Sequence, residues 1–219
     1  MAHLEIKDLS KSFGRKQVLD RLELSLSTGE IVAIMGRNGS GKSTLFQILF
    51  GLTKANKGLI TVDGFPLTKR QDRVGYLPQY AFMPTRLRVR TLVQRSLASE
   101  EAWDAIFYAP KISKIENQFV GQLSVGERRY LATLLLGHLQ HPILLLDEPL
   151  SMLEPIQMDY IKNFLQGLKD TKGILLADHY YEDVLQTADR KLLLQNGRLQ
   201  SVSNKQDLVE KGYLPESRL

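Results

Sequence analysis

The 219-residue chain contains no cysteine, so disulfides and thiolate-held metals are excluded. The absence fits a reducing cytoplasm. It also lacks long apolar runs. Stretches such as Ile31–Met35 and Ile143–Leu146 are five and four residues long, whereas a membrane-spanning helix needs about 20, so no bilayer crossing is expected. The first residues carry Glu5 and Asp8 and no apolar core, unlike a secretory leader. No repeat of fixed period and no low-complexity tract occurs. Charge of one sign is nearly balanced, with 29 Lys and Arg against 24 Asp and Glu, a net +5. With 43% apolar and 24% charged residues, the composition is that of a chain with a sizeable core and not of a disordered one.

What is present is an alternation of strand-like and helix-like segments. His3–Ile6 and Gln17–Ser27 alternate in polarity, the latter through Val18, Leu22, Leu24 and Leu26, and predict an antiparallel N-terminal piece. A fully apolar strand is expected at Ile31–Met35, followed by a glycine-rich loop and a helix from Lys42 to about Phe50, closed by Gly51. Leu59–Val62 reads as a strand ending in the turn Asp63–Gly64. From Gln79 to Gln122 the pattern becomes helical, with one helix expected over Thr91–Tyr108. A second, over Val125–Gln140, carries Leu131, Leu134, Leu135 and Leu139 on one face. Strands are then expected at Ile143–Leu146, Gly173–Ala177 and Lys191–Leu194. Helices are expected near Ile156–Leu168 and Tyr181–Thr187, and a short one in the tail. Strands alternating with helices predict parallel βαβ units. The expected fold is therefore α/β: one domain spanning 1–219, with a mainly parallel core sheet, an antiparallel N-terminal β piece and a helical insertion at about 80–140.

Two motifs carry chemistry. Gly36-Arg-Asn-Gly-Ser-Gly-Lys-Ser-Thr44 has the spacing G-x-x-x-x-G-K-[ST] between a predicted strand and a predicted helix, the context in which that pattern cradles phosphate. Its glycines let successive N–H groups converge on an anion, and the following helix adds its positive end. Lys42 is placed to reach the β- and γ-phosphates, and Ser43 to offer a hydroxyl oxygen to Mg²⁺. The other motif is the apolar strand that ends in Asp147-Glu148-Pro149. Ligands of open α/β sheets bind at the carboxyl ends of strands. Asp147 is thus expected near Mg²⁺, and Glu148 at the water that attacks the γ-phosphate.

Further motifs make the chain resemble the nucleotide-binding subunit of ATP-binding cassette (ABC) transporters, from about Leu4 to Leu199. Phe13 in Lys11-Ser-Phe-Gly14 matches the family aromatic that stacks on adenine. Gln79 in Gly75-Tyr-Leu-Pro-Gln79 matches the glutamine that opens the helical lobe and touches Mg²⁺. Leu123-Ser-Val-Gly-Glu127 matches the signature Leu-Ser-Gly-Gly-Gln. The resemblance implies that Ser124 and Gly126 bind the γ-phosphate of ATP held by an opposing subunit. Val125 replaces the first glycine, and a valine tolerates positive φ poorly, so any need for that conformation weakens the signature. Ser151-Met-Leu-Glu154 matches the loop Ser-Ala-Leu-Asp that couples the two sites. His179, 32 positions after Asp147, matches the switch histidine at the γ-phosphate.

By this resemblance the ligands are ATP and Mg²⁺. The nucleotide site comprises Phe13, Gly36, Asn38, Gly39, Ser40, Gly41, Lys42, Ser43, Thr44, Ser124 and Gly126. The metal ligands are Ser43, Gln79 and Asp147, and the catalytic set is Glu148, His179, Lys42 and Gln79. The implied protein is an ATPase working as a head-to-tail dimer, cytoplasmic and peripheral on the inner face of the membrane, driving separate transmembrane subunits. No nucleic-acid partner is expected. Lys69, Arg70, Arg73, Arg86, Arg88, Arg90 and Arg95 form a basic stretch with Asp72 as its sole acid. It reads either as a solvated face or as a surface for an acidic partner or an anionic membrane. The alternatives are an ABC ATPase without a transport role, as in cluster assembly, and a degenerate ATP-binding regulatory subunit. Gln79 and Leu123 are 44 positions apart, which leaves no room for the coiled-coil arm of DNA-repair relatives. The runs Glu127-Arg-Arg129 and Glu154-Pro-Ile156 resemble lipopolysaccharide-export and branched-chain amino-acid cassettes, which implies a bacterial origin.

Overall fold

The structure is a computed structural model that describes residues 1–80 and 83–218. Strands β1 (His3–Phe13), β2 (Lys16–Ser27), β4 (Lys57–Val62) and β5 (Phe65–Pro66) form an antiparallel sheet in the order β2-β1-β4-β5. The other sheet contains β3 (Ile31–Met35), β6 (Val74–Leu77), β7 (Ile143–Asp147), β8 (Gly173–Ala177), β9 (Arg190–Gln195) and β10 (Arg198–Val202). Its order is β10-β9-β3-β8-β7-β6, with β3 parallel to β8 and β9, and β7 parallel to β6 and β8. Only β10 runs antiparallel, as the closing arm of a hairpin with β9.

The unbroken apolar runs of β3, β7 and β8 follow from burial on both faces. Ile31, Ala33 and Met35 of β3 enter one core, while Val32 and Ile34 enter the other. In β7, Leu144 and Leu146 face the first core and Ile143 and Leu145 the second. The second core lies between the two sheets and takes Leu45, Phe46 and Leu49 from α1 (Lys42–Leu49). The first core takes the helices that lie between β6 and β7 in sequence. These are α2 (Val89–Ser96), α3 (Glu100–Phe107), α4 (Ile112–Ile115) and α5 (Val125–His138). It is completed by α6 (Pro155–Leu168), α7 (Tyr181–Thr187) and α8 (Lys205–Glu210).

Several element boundaries differ from expectation. The helix expected over Thr91–Tyr108 is two helices, broken at Leu97–Ser99. Leu97 leaves α2 with extended backbone and is buried. The Ser99 hydroxyl accepts the N–H of Ala102 at 3.3 Å and starts α3. A serine oxygen that competes for backbone N–H groups favours a cap over a helix interior. Trp103 Nε1 locks the corner by donating to Leu97 O at 2.8 Å. Helix α5 ends at His138, two residues before the expected end. Strand β1 runs on to Phe13, past the expected Ile6, through register shifts against β2. Strands β6 and β10 had no sequence counterpart. The basic stretch is partly paired from outside itself: Arg73 meets Asp63 at 3.2 Å and Arg90 meets Glu116 at 2.9 Å. Arg88 lies over the Phe119 ring.

Candidate functional site

Strand β3 delivers the chain into the phosphate loop at the carboxyl edge of the parallel strands. Gly41 caps α1 at φ 111° with no side-chain hydrogen bond, so the first N–H groups of the helix keep no intramolecular cap. A Cβ at Gly41 would stand 2.9 Å from Val18 Cγ1, so glycine is required there by both torsion and space. Lys42 is buried, and its Nζ donates to Gly36 O at 2.7 Å and to Arg37 O at 3.3 Å. Burial holds its ammonium below the usual lysine range, opposed by the attraction of Asp147, Glu148 and Asp178.

Asp147, at the end of β7, is almost fully buried, and its Oδ2 has no hydrogen-bond partner. Burial holds its carboxyl above the ordinary range, while a hydrogen bond with Ser43 acts the other way. An orphaned buried carboxylate oxygen beside a serine hydroxyl is a donor set suited to a hard cation such as Mg²⁺. The described residues contain no cluster of three or more His, Asp or Glu side chains able to hold a metal by themselves. A cation here would have to draw on the Ser43 hydroxyl, the Asp147 carboxylate and oxygens from its own ligand.

Glu148 takes a left-handed backbone at φ 56°. That conformation costs a non-glycine residue of the order of 1–2 kcal/mol. It is held by its own N–H, which donates to Ala177 O at 2.6 Å, and by its carbonyl, which accepts from Arg129. Its Oε2 takes the Ser151 hydroxyl at 3.3 Å, and its Oε1 lies 3.7 Å from His179 Nδ1. Asp178 is fully buried and turns this corner. Its carboxylate accepts N–H groups from Leu150 at 3.0 Å, His179 at 2.7 Å and Tyr180 at 3.1 Å. Burial pushes its carboxyl up.

These elements enclose an open cavity of about 670 Å³. Of the sequence-predicted residues, Phe13, Asn38, Gly39, Gly41, Lys42, Ser43, Thr44, Gln79, Glu148 and His179 line it. Phe13 is half exposed at the rim, with Lys11 Nζ 4.7 Å from its ring centre. Gly36, Ser40 and Asp147 do not line the cavity: Gly36 and Ser40 approach each other within the loop, and Asp147 sits next to Ser43. Ser124 and Gly126 do not line the cavity.

The signature forms the start of α5. Ser124 caps it, accepting Glu127 N–H at 3.2 Å, and Glu127 Oε2 accepts Ser124 N–H at 2.8 Å. This reciprocal pair accommodates the Glu in place of Gln, since either side chain can close the box. Val125 is the first helical residue, is exposed, and is not among the residues with positive φ. The glycine it replaces is therefore not required by torsion in this chain. Gly126 is required by space: a Cβ there would lie 2.0 Å from Met152 O. The signature thus packs on the loop Ser151–Glu154, whose Glu154 pairs with Lys111 at 3.0 Å.

Sequence reasoning missed Lys16 and Val18, which follow Phe13 around its hairpin and line the same cavity. It also left Arg129 without a role. The run Glu127-Arg-Arg129 was visible, but Arg129's partners are main-chain carbonyls 19 and 50 positions away, and such contacts leave no spacing signal.

A glycine-rich phosphate loop opening a helix, with an acidic strand end one strand away across β8, defines a P-loop nucleotide-binding protein. Within that class the chain belongs to the ABC transporter family, whose model matches residues 19–151. It is the ATP-binding domain of that family, an ATPase. It is 31% identical to the lipopolysaccharide export system ATP-binding protein LptB of Escherichia coli K12, over 91% of this chain and 89% of that one. It is 30% identical to the sulfate/thiosulfate import ATP-binding protein CysA of Methylococcus capsulatus, over 97% of this chain and 66% of that one. Among solved structures, the ATP-binding subunit of an ABC transporter superposes with a TM-score of 0.83 at 23% identity, covering 96% of this chain and 93% of that one. No helix among the described residues is long and apolar enough to cross a membrane.

Proposed function

We propose that the chain is the ATP-hydrolysing subunit of a transporter, peripheral on the inner face of the membrane, and that it drives separate transmembrane subunits as a head-to-tail dimer. The carrying observation is that its phosphate cavity and its signature lie in one chain, while Ser124 and Gly126 do not line that cavity. A second copy turned about a two-fold axis supplies each cavity with the signature of its partner. The proposed unit is the whole chain 1–219, with α2–α5 as its inserted lobe. LptB is named for export and CysA for import, at nearly equal identity, so no direction of transport is assigned.

In this reading Phe13 stacks on adenine, and the loop from Gly36 to Thr44 wraps the phosphates with its N–H groups. Lys42 exchanges its carbonyl partners for β- and γ-phosphate oxygens. Ser43, Gln79 and Asp147 hold Mg²⁺, which when bound offsets phosphate charge. Glu148 accepts the proton of a water whose oxygen attacks the γ-phosphorus. The bond to the β–γ bridging oxygen breaks, and ADP carries that oxygen away. His179, beside Glu148, meets the γ-phosphate and reports its presence. Loss of the γ-phosphate removes the ligand that joins the copies and biases them to separate.

Fluorescent ATP titration and phosphate release test this. Wild type is expected to bind and hydrolyse ATP, and Lys42→Ala to lose both. Equal affinity in the two proteins would reject the assignment of the cavity to nucleotide.

A further inference from the structure

Arg129 is a buried cation on α5, one turn beyond the signature cap, and its guanidinium points at the main chain of two other elements. One amino group donates to the carbonyl of Glu148 and the other to the carbonyl of Gln79. The nearest carboxylate oxygen, Glu148 Oε2, is 4.0 Å away, so the carbonyls are the primary partners. Gln79, Val125 and Arg129 also meet around a small cavity of about 100 Å³. A planar guanidinium can grip two acceptors in a fixed relation, which an ammonium cannot. Glu148 needs such a grip, because its backbone is left-handed, and conformations of that kind persist where their surroundings over-determine them.

We propose that Arg129 is a positioning residue that sets the catalytic carboxylate and the lobe glutamine together, from the helix that begins at the signature. It touches neither nucleotide nor attacking water. It fixes the Glu148 carbonyl, and so the direction of the Glu148 side chain, and it fixes the Gln79 carbonyl at the point where the chain leaves β6 for the lobe. Because it rides on α5, a shift of that helix at the signature moves both residues of the same subunit. The inference rests on the reading of Glu148 as base.

The test compares wild type, Arg129→Lys, Arg129→Met and Glu148→Gln as full chains, by steady-state ATP hydrolysis and by hydrogen exchange. Displacement of a catalytic group by about 1 Å can cost 100-fold in rate. Arg129→Met is expected to lose about 10–100-fold in kcat, with KM for ATP within about threefold. Arg129→Lys is expected to fall between it and wild type. Exchange should rise selectively in the segments around 77–80 and 147–152, whether or not turnover is measurable, while the rest of α5 stays protected. Wild-type kcat in Arg129→Met, or exchange rising evenly through α5 and β7 in both Arg129 variants, would overturn the proposal. Arg129 variants at wild-type rate beside an inactive Glu148→Gln would sink this inference alone. Full hydrolysis by Glu148→Gln would instead remove the reading beneath it.

Discussion

Single residues decide the site through space more than through identity. Val125 and Gly126 show the difference. Val125 replaces a family glycine, yet it sits exposed on the first helical turn with an ordinary torsion. Gly126 is its neighbour in the same motif, yet its missing Cβ leaves room for Met152 O. Val125→Gly is therefore expected to leave the melting temperature within a few degrees of wild type and the ATPase rate within about threefold, as exposed substitutions usually do. Gly126→Ala is expected to cost about 1–3 kcal/mol through overpacking and to displace the loop Ser151–Glu154, read as a lower urea midpoint and a lower rate. Equal effects from the two substitutions would contradict this division. The sequence alone could not make it, because it gives neither the torsion at Val125 nor the packing partner of Gly126, 26 positions away.

At the level of elements, local rules decide where helices begin, and tertiary contacts decide the rest. The Ser124–Glu127 capping box closes the start of α5. Ser124→Ala is expected to cost about 1 kcal/mol of stability, seen as a lower urea midpoint at unchanged slope; an unchanged midpoint would mean the cap contributes nothing measurable. The strands β3, β7 and β8 were legible because burial on both faces writes an unbroken apolar run. Strand β6 was not, since Val74-Gly-Tyr-Leu77 is four residues long and carries a glycine. Strand β10 is an edge with Arg198, Gln200 and Ser201, which read as polar loop. The Thr91–Tyr108 pattern kept its apolar spacing across a break that the Ser99 cap and the Trp103–Leu97 bond impose. The meeting of the phosphate loop, Glu148 and His179 around one cavity was legible because their motifs fix residue type and spacing. Lys16, Val18 and Arg129 were not, because their contributions depend on main-chain geometry.

Across the whole molecule, the far end of α5 offers a pH test separate from the nucleotide site. His138 packs on Phe164 with ring centres 5.3 Å apart. Burial first, and the nearby Lys172 ammonium after it, hold its imidazole below its ordinary 6.5. The unfolded chain therefore takes up a proton near pH 6.5 that the folded chain refuses. This part of the stability is complete above that pH, and it is lost as pH falls from the unfolded value to the folded one. Urea denaturation is expected to show stability falling as pH drops below about 6.5, with a shallower fall in His138→Gln. An identical slope in the variant would contradict the burial argument.

The central claim is that each complete site is assembled from two copies around ATP, with Glu148 ending the assembled state. Its most direct measurement is the molar mass of Glu148→Gln by size-exclusion light scattering, with and without ATP. The expected result is a monomer without nucleotide and a dimer of twice the 24.9 kDa chain with ATP, lost again on adding Lys42→Ala. A Glu148→Gln chain that binds ATP and stays monomeric at every protein concentration would contradict it.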